Sequence, residues 1–175
     1  MQVRFPPGVP LNVYTYPMKL SLKSGLSFGL ASGILTTLGL LVGLSYSTQS
    51  KLAVIGGILT IAVADALSDA FGMHLSKESE SNNSDLHVWE SAYSTFIAKF
   101  LFALTFVVPV ILLDLKTAVI VSLAWGSFLL ILASVYLAKR NKDNVLLVVA
   151  EHLFLGVFIV FCSYLIGKTV NNFFN

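Results

Sequence analysis

Charge is what this sequence has least of. Only 11% of its 175 residues are Asp, Glu, Lys or Arg, against about 25% in an ordinary soluble domain. Eleven basic and nine acidic side chains cannot clothe a soluble surface, roughly a quarter to a third of which is charged. The net charge of +2 is too small to mark a polyanion, so no nucleic-acid partner is expected. Cysteine is almost absent as well. Cys162 stands alone in an apolar run, which excludes an intrachain disulfide and leaves the redox compartment unread. Proline is scarce beyond the first residues: four of the five lie in residues 1–24. That stretch has no apolar centre of the secretory kind, so insertion is expected to rely on the first true span. Regular apolar–polar alternation is missing too, which argues against a β-barrel.

What the chain does have is long apolar runs. Hydrophobic residues make up 56% of it, and the mean hydropathy is +0.83. A spanning helix needs about 20 mainly apolar residues, so five or six spans fit. The expected fold class is all-α: an integral membrane bundle of five transmembrane helices. The spans are placed at about 25–46, 52–75, 91–113, 117–138 and 145–167. Residues 25–170 then form a single domain, preceded by a cytoplasmic segment, 1–24, and followed by a tail, 171–175. Asp114 to Lys116 reads as a tight turn.

Glycines in the first span fall at Gly25, Gly29 and Gly33, then at Gly39 and Gly43. This small-xxx-small spacing lets another helix approach closely in lipid. It is read as close helix packing, with a homodimer axis the candidate partner; the alternative is ordinary membrane-helix glycine content. With the N-terminus cytoplasmic, Arg4, Lys19, Lys23, Lys77, Lys139, Arg140 and Lys142 share one side, and Lys51, Lys116 and Lys168 the other. Seven against three satisfies the positive-inside rule. The C-terminus then lies outside.

The second span carries the chemistry. Its charge-free part, Leu52–Ala64, has only 13 residues, too few to cross. The helix must therefore continue through Asp65 and Asp69. Asp65, Asp69 and Met73 are spaced four apart and fall on one helix face. A carboxylate near the bilayer centre costs at least about 2.5–3.5 kcal/mol, so these acids must meet a partner charge, a cavity or a cation. One reading is an ion pair with Lys99, the intramembrane base, or protonated acids bonded to a neighbouring helix. The other is a cation or proton site. Hard carboxylate oxygens suit a divalent cation, and the thioether of Met73 biases the choice toward transition metals.

Glu151 and His152 lie at the entry to the fifth span, either as an interfacial pair or with Glu151 in a proton or metal path. Between spans two and three lies a polar stretch, Lys77 to Glu90. Its Glu78, Glu80, Asp85, His87 and Glu90, with His74 just before, are candidates for a cytoplasmic cation entry or a solvated acidic loop. Their spacings match no structural zinc motif.

The run Ser32-Gly33-Ile34-Leu35-Thr36-Thr37-Leu38-Gly39-Leu40-Leu41-Val42-Gly43-Leu44 resembles the first-span motif of the vacuolar iron transporter family. Ala66-Leu67-Ser68-Asp69-Ala70-Phe71-Gly72-Met73-His74-Leu75-Ser76 is similar to that family's second span, and Glu151 through Gly167 to its last. The resemblance implies five spans, a homodimer with first spans near its axis, and proton-coupled export of Fe2+ or Mn2+ from the cytosol. It also shows departures. The family's first-span Asp ligand falls on Ser32, its second-span Met ligand on Asp69, and the Glu one turn later on Met73. The long cytoplasmic metal-binding region is reduced to roughly fifteen residues.

The expected function is transport of a divalent transition metal ion, as substrate, with no tightly bound cofactor and no catalysis. Asp65 and Asp69 would be the main ligands. Met73 and Ser32 complete the site, Thr36 or Thr37 offers a hydroxyl, and Glu151 and the acidic loop guide ions. A prokaryotic cell membrane is the expected home. The alternative is a non-transporting scaffold or complex subunit held by intramembrane Asp–Lys pairing. A carrier of small organic ions and a metal-dependent membrane enzyme are weaker alternatives. Asp65-x-x-x-Asp69 resembles the tail of the CDP-alcohol phosphotransferase signature, but the upstream part is absent and Ile61 stands where that signature has Gly.

Overall fold

The computed structural model describes residues 18–80 and 85–174. The readings for residues 1–17, 81–84 and 175 lie outside them. Six helices follow in order: α1 Met18–Thr48, α2 Lys51–Ser79, α3 Asp85–Thr105, α4 Val107–Leu112, α5 Leu115–Asn141 and α6 Val145–Phe174. Helices α3 and α4 form one span broken at Phe106. The cause is Pro109, which lacks an N–H and crowds the carbonyl four residues back, that of Thr105. Five helical segments are therefore long and apolar enough to cross a membrane, and the described residues contain no strand.

The helices outrun the expected spans at most ends. Each segment has 27 to 30 residues, about 40–45 Å at 1.5 Å per residue. That matches a bilayer with its headgroup regions, whereas the expected spans cover only the ~30 Å hydrocarbon core. Polar residues such as Lys77, Lys139 and Lys168 continue the helices past the apolar runs.

Three short polar side chains set the connections. Ser50 Oγ accepts from Ala53 N at 3.3 Å and starts α2. Asn144 Oδ1 accepts from Leu146 N and Leu147 N and starts α6. Asp114 Oδ2 accepts from Thr117 N at 3.0 Å and starts α5. The expected turn Asp114 to Lys116 is thus one capping residue followed by helix. Hydrogen bonds from the Thr117 backbone and hydroxyl hold the Asp114 carboxyl below its usual range. At α5's other end Lys142 takes a left-handed conformation, φ 62°, and Asp143 N donates to Ala138 O at 2.9 Å.

Helix α1 is the centre and touches α2, α3, α5 and α6. Half of its apolar window is buried within the protein, against 6% for α6. Its Ile34, Leu38 and Leu41 pack with Ile58 of α2, with Phe106 at the α3–α4 break and with Val119 of α5 in the core. Large apolar side chains such as Leu52, Phe71, Leu146 and Phe158 are exposed, as lipid-facing residues of a bundle are.

The glycine ridge is filled by the chain itself. A Cβ at Gly25 or Gly29 would run into the α3 backbone at Ser91 or Thr95, and one at Gly33 into Lys99. Gly39 and Gly43 face Ser163 of α6, and Gly167 lies against Gly43. The close packing expected from the spacing is present and joins α1 to α3 and α6. Hydroxyls tie the same seam: Ser91 Oγ donates to Ser21 O and Thr95 Oγ1 to Gly25 O, both at 3.2 Å.

Candidate functional site: a buried ammonium between two carboxylates

Asp65 stands fourteen residues from either end of α2, about 21 Å from each. Lys99 holds the matching position in the α3–α4 span, Asp85–Leu112. Their side chains therefore meet at mid-span. Gly33 lets this happen: without a Cβ, α1 lies against the Lys99 backbone, and the lysine side chain runs between α1 and α2.

The Lys99 ammonium is 2.6 Å from Asp65 Oδ2, 2.5 Å from Asp69 Oδ2 and 2.9 Å from Ser32 Oγ. An ammonium has three donors, and all three are used. Ser32 in turn donates to Asp69 Oδ2 at 2.6 Å. Three helices are thus joined through four side chains. The lysine side chain is 2% exposed, but those of Asp65 and Asp69 are 32% and 22% exposed. The cation is sealed and the carboxylates are reachable. Two carboxylates around one ammonium leave one negative charge in excess.

Thr36 donates to the backbone carbonyl of Ser32 at 2.9 Å, so its hydroxyl is engaged on its own helix. Thr37 is fully buried, with no partner for its hydroxyl among the described residues. Met73 lies one turn along α2 from Asp69, on the same helix face, and is half-buried. Glu151 is exposed on α6, a helix that packs on α1 and α5. Its neighbour His152 is half-buried, with Nδ1 2.8 Å from Ser134 Oγ of α5. Sequence reasoning missed Ser134, since one serine in an apolar helix carries no signal.

The expected entry residues form separate local pairs. His74 lies 3.7 Å from Glu78 and against the ring of Trp89. Lys77 pairs with Glu80 at 2.8 Å. His87 and Ser21 both bond Glu90, at 3.4 and 2.7 Å. Among the described residues no three His, Cys, Asp or Glu side chains gather as a metal-binding group. The cleft at this end also holds Lys23 and Arg140, which the sequence reading used only to orient the chain.

No protein-family model matches the chain, and comparison with curated proteins finds no significant match.

Proposed function

We propose that the protein is an integral membrane carrier of divalent transition metal ions of the Fe2+/Mn2+ class, exchanging them for protons across a prokaryotic cell membrane. The observation that carries the reading is the charge count at mid-span. Asp65, Asp69 and Lys99 sum to one negative charge in a region where charge is costly. A proton brings the cluster to neutrality. A divalent cation does the same for the two carboxylates once the ammonium has moved aside. Metal ligation needs deprotonated carboxylates, so proton and metal compete for the same two residues. The contact of Ser32 with Asp69 supports the reading, because these positions correspond to two metal ligands in the family the sequence resembles. The basic residues favour a cytosolic N-terminus, and export from the cytosol is the direction the family resemblance implies.

A second reading rests on the completeness of the Lys99 bonding. An ammonium with all donors satisfied also serves a scaffold that carries nothing. Mn2+ uptake into proteoliposomes separates the two. A carrier accumulates Mn2+ in an acidic lumen and loses this activity in Asp69→Asn. A scaffold gives no uptake in either form.

A further inference from the structure

At one end of the bundle the starts of α1 and α3 meet the ends of α2 and α5 around a cleft of about 560 Å³. Three cations line it: Lys23, Lys77 and Arg140. Glu80 is the carboxylate in the lining and holds Lys77. Glu90 lies close by, bonded to Ser21 and His87, and His87 also faces the cleft. Neither Lys23 nor Arg140 has an ion-pair partner among the described residues. The cleft is therefore electropositive, the wrong sign to draw in a metal ion and the right sign for a phosphate.

A second cavity adjoins it. A groove of about 200 Å³ between α1, α5 and α6 shares Ser27 and Leu137 with the cleft. Its walls are mainly apolar, with Leu30, Leu35, Leu130 and Ala133 among them. On α1 the wall runs from Leu26 to Leu35, about 13 Å. One leaflet's hydrocarbon depth is about 15 Å. A basic pocket at the headgroup level thus opens onto an apolar slot of one leaflet's depth.

We propose that cleft and groove together hold one anionic phospholipid. Its phosphate lies between Lys23 and Arg140, with Ser24 and Ser27 beside it, and one acyl chain runs down the groove. A soluble phosphate would leave the groove empty. A zwitterionic headgroup would bring its own cation against the two basic residues. The inference is independent of the transport reading, since none of Ser32, Asp65, Asp69 or Lys99 lines either cavity.

The test is native mass spectrometry of the full chain in detergent, incubated with equimolar dioleoyl phosphatidylglycerol and phosphatidylcholine. The wild type is expected to retain phosphatidylglycerol preferentially. Lys23→Gln with Arg140→Gln should lower that preference about 30-fold, at about 1 kcal/mol per basic residue near anionic lipid. Lys139→Gln with Lys142→Gln, at the same end but outside the cleft, should leave it unchanged. Ala133→Trp, which fills the groove, should release the lipid while circular dichroism shows the helices intact. Equal losses in the two double variants would overturn the proposal in favour of diffuse attraction. Displacement of the lipid by excess inorganic phosphate would overturn it in favour of a soluble anion. Retention unaffected by Ala133→Trp would remove the acyl chain from the groove.

Discussion

Ser32 Oγ donates to Asp69 Oδ2 at 2.6 Å while accepting from the Lys99 ammonium, so one hydroxyl of α1 couples a carboxylate of α2 to a cation of α3. Removing it leaves the ammonium one acceptor short. Ser32→Ala is expected to destabilise the protein by about 1–3 kcal/mol, the cost of a buried polar group left unpaired. Thermal unfolding in detergent checks this. Ser32→Thr, which keeps the hydroxyl, should recover part of the loss.

Lys99 carries the larger stake. Lys99→Met leaves two carboxylates facing each other without their cation, and breaking a buried pair from one side costs about 3–5 kcal/mol. Adding Asp69→Asn removes one of the stranded charges. The double variant is expected to be more stable than Lys99→Met alone, with a coupling energy of at least about 1 kcal/mol. Strict additivity would mean that the 2.5 Å contact contributes nothing.

The glycine seam gives a packing prediction. A side chain at Gly29 meets the Thr95 carbonyl, which belongs to a backbone that cannot turn away. Gly29→Val should push α1 from α3 and cost about 1–3 kcal/mol. Gly72, which has open space around it, is the control: Gly72→Ala should be neutral or mildly stabilising. Similar melting temperatures for the two variants would contradict the seam.

Asp114 gives a pH dependence. Its carboxyl is held below the usual range by the Thr117 bonds, so the cap favours the folded state above the unfolded carboxyl pKa of about 3.9. That contribution is lost as pH falls through the depressed folded value. Acidification from about pH 6 to below pH 4 should therefore lower the melting temperature of the wild type more than that of Asp114→Asn, whose cap does not titrate.

Much of this arrangement was legible in the sequence, and for specific reasons. A run such as Leu52–Ala64 that is apolar yet too short to cross forces the helix through Asp65 and Asp69. With Lys99 the intramembrane base, the ion pair was foreseeable as one of two readings. That both aspartates close on it was not, because this depends on the register of α2 against α3 around α1, which no local pattern encodes. The glycine spacing announced close packing but not the partner, since α3 and α6 both present small residues to it. Thr36 looked like a ligand in sequence, yet a threonine in a helix can also bond the carbonyl four residues back, and Thr36 does so. The basic cleft draws Lys23, Lys77 and Arg140 from three helices, a convergence that no local pattern encodes.

The proposed function places a transported cation on the mid-span aspartates. Mn2+ uptake into proteoliposomes, measured for wild type and Asp69→Asn with and without an acidic lumen, tests it most directly. The wild type is expected to show uptake that depends on the pH gradient, slowed at least about tenfold in Asp69→Asn, a change of about 1.4 kcal/mol in barrier. Equal uptake by the two proteins, or none by a folded wild type under either condition, would contradict it.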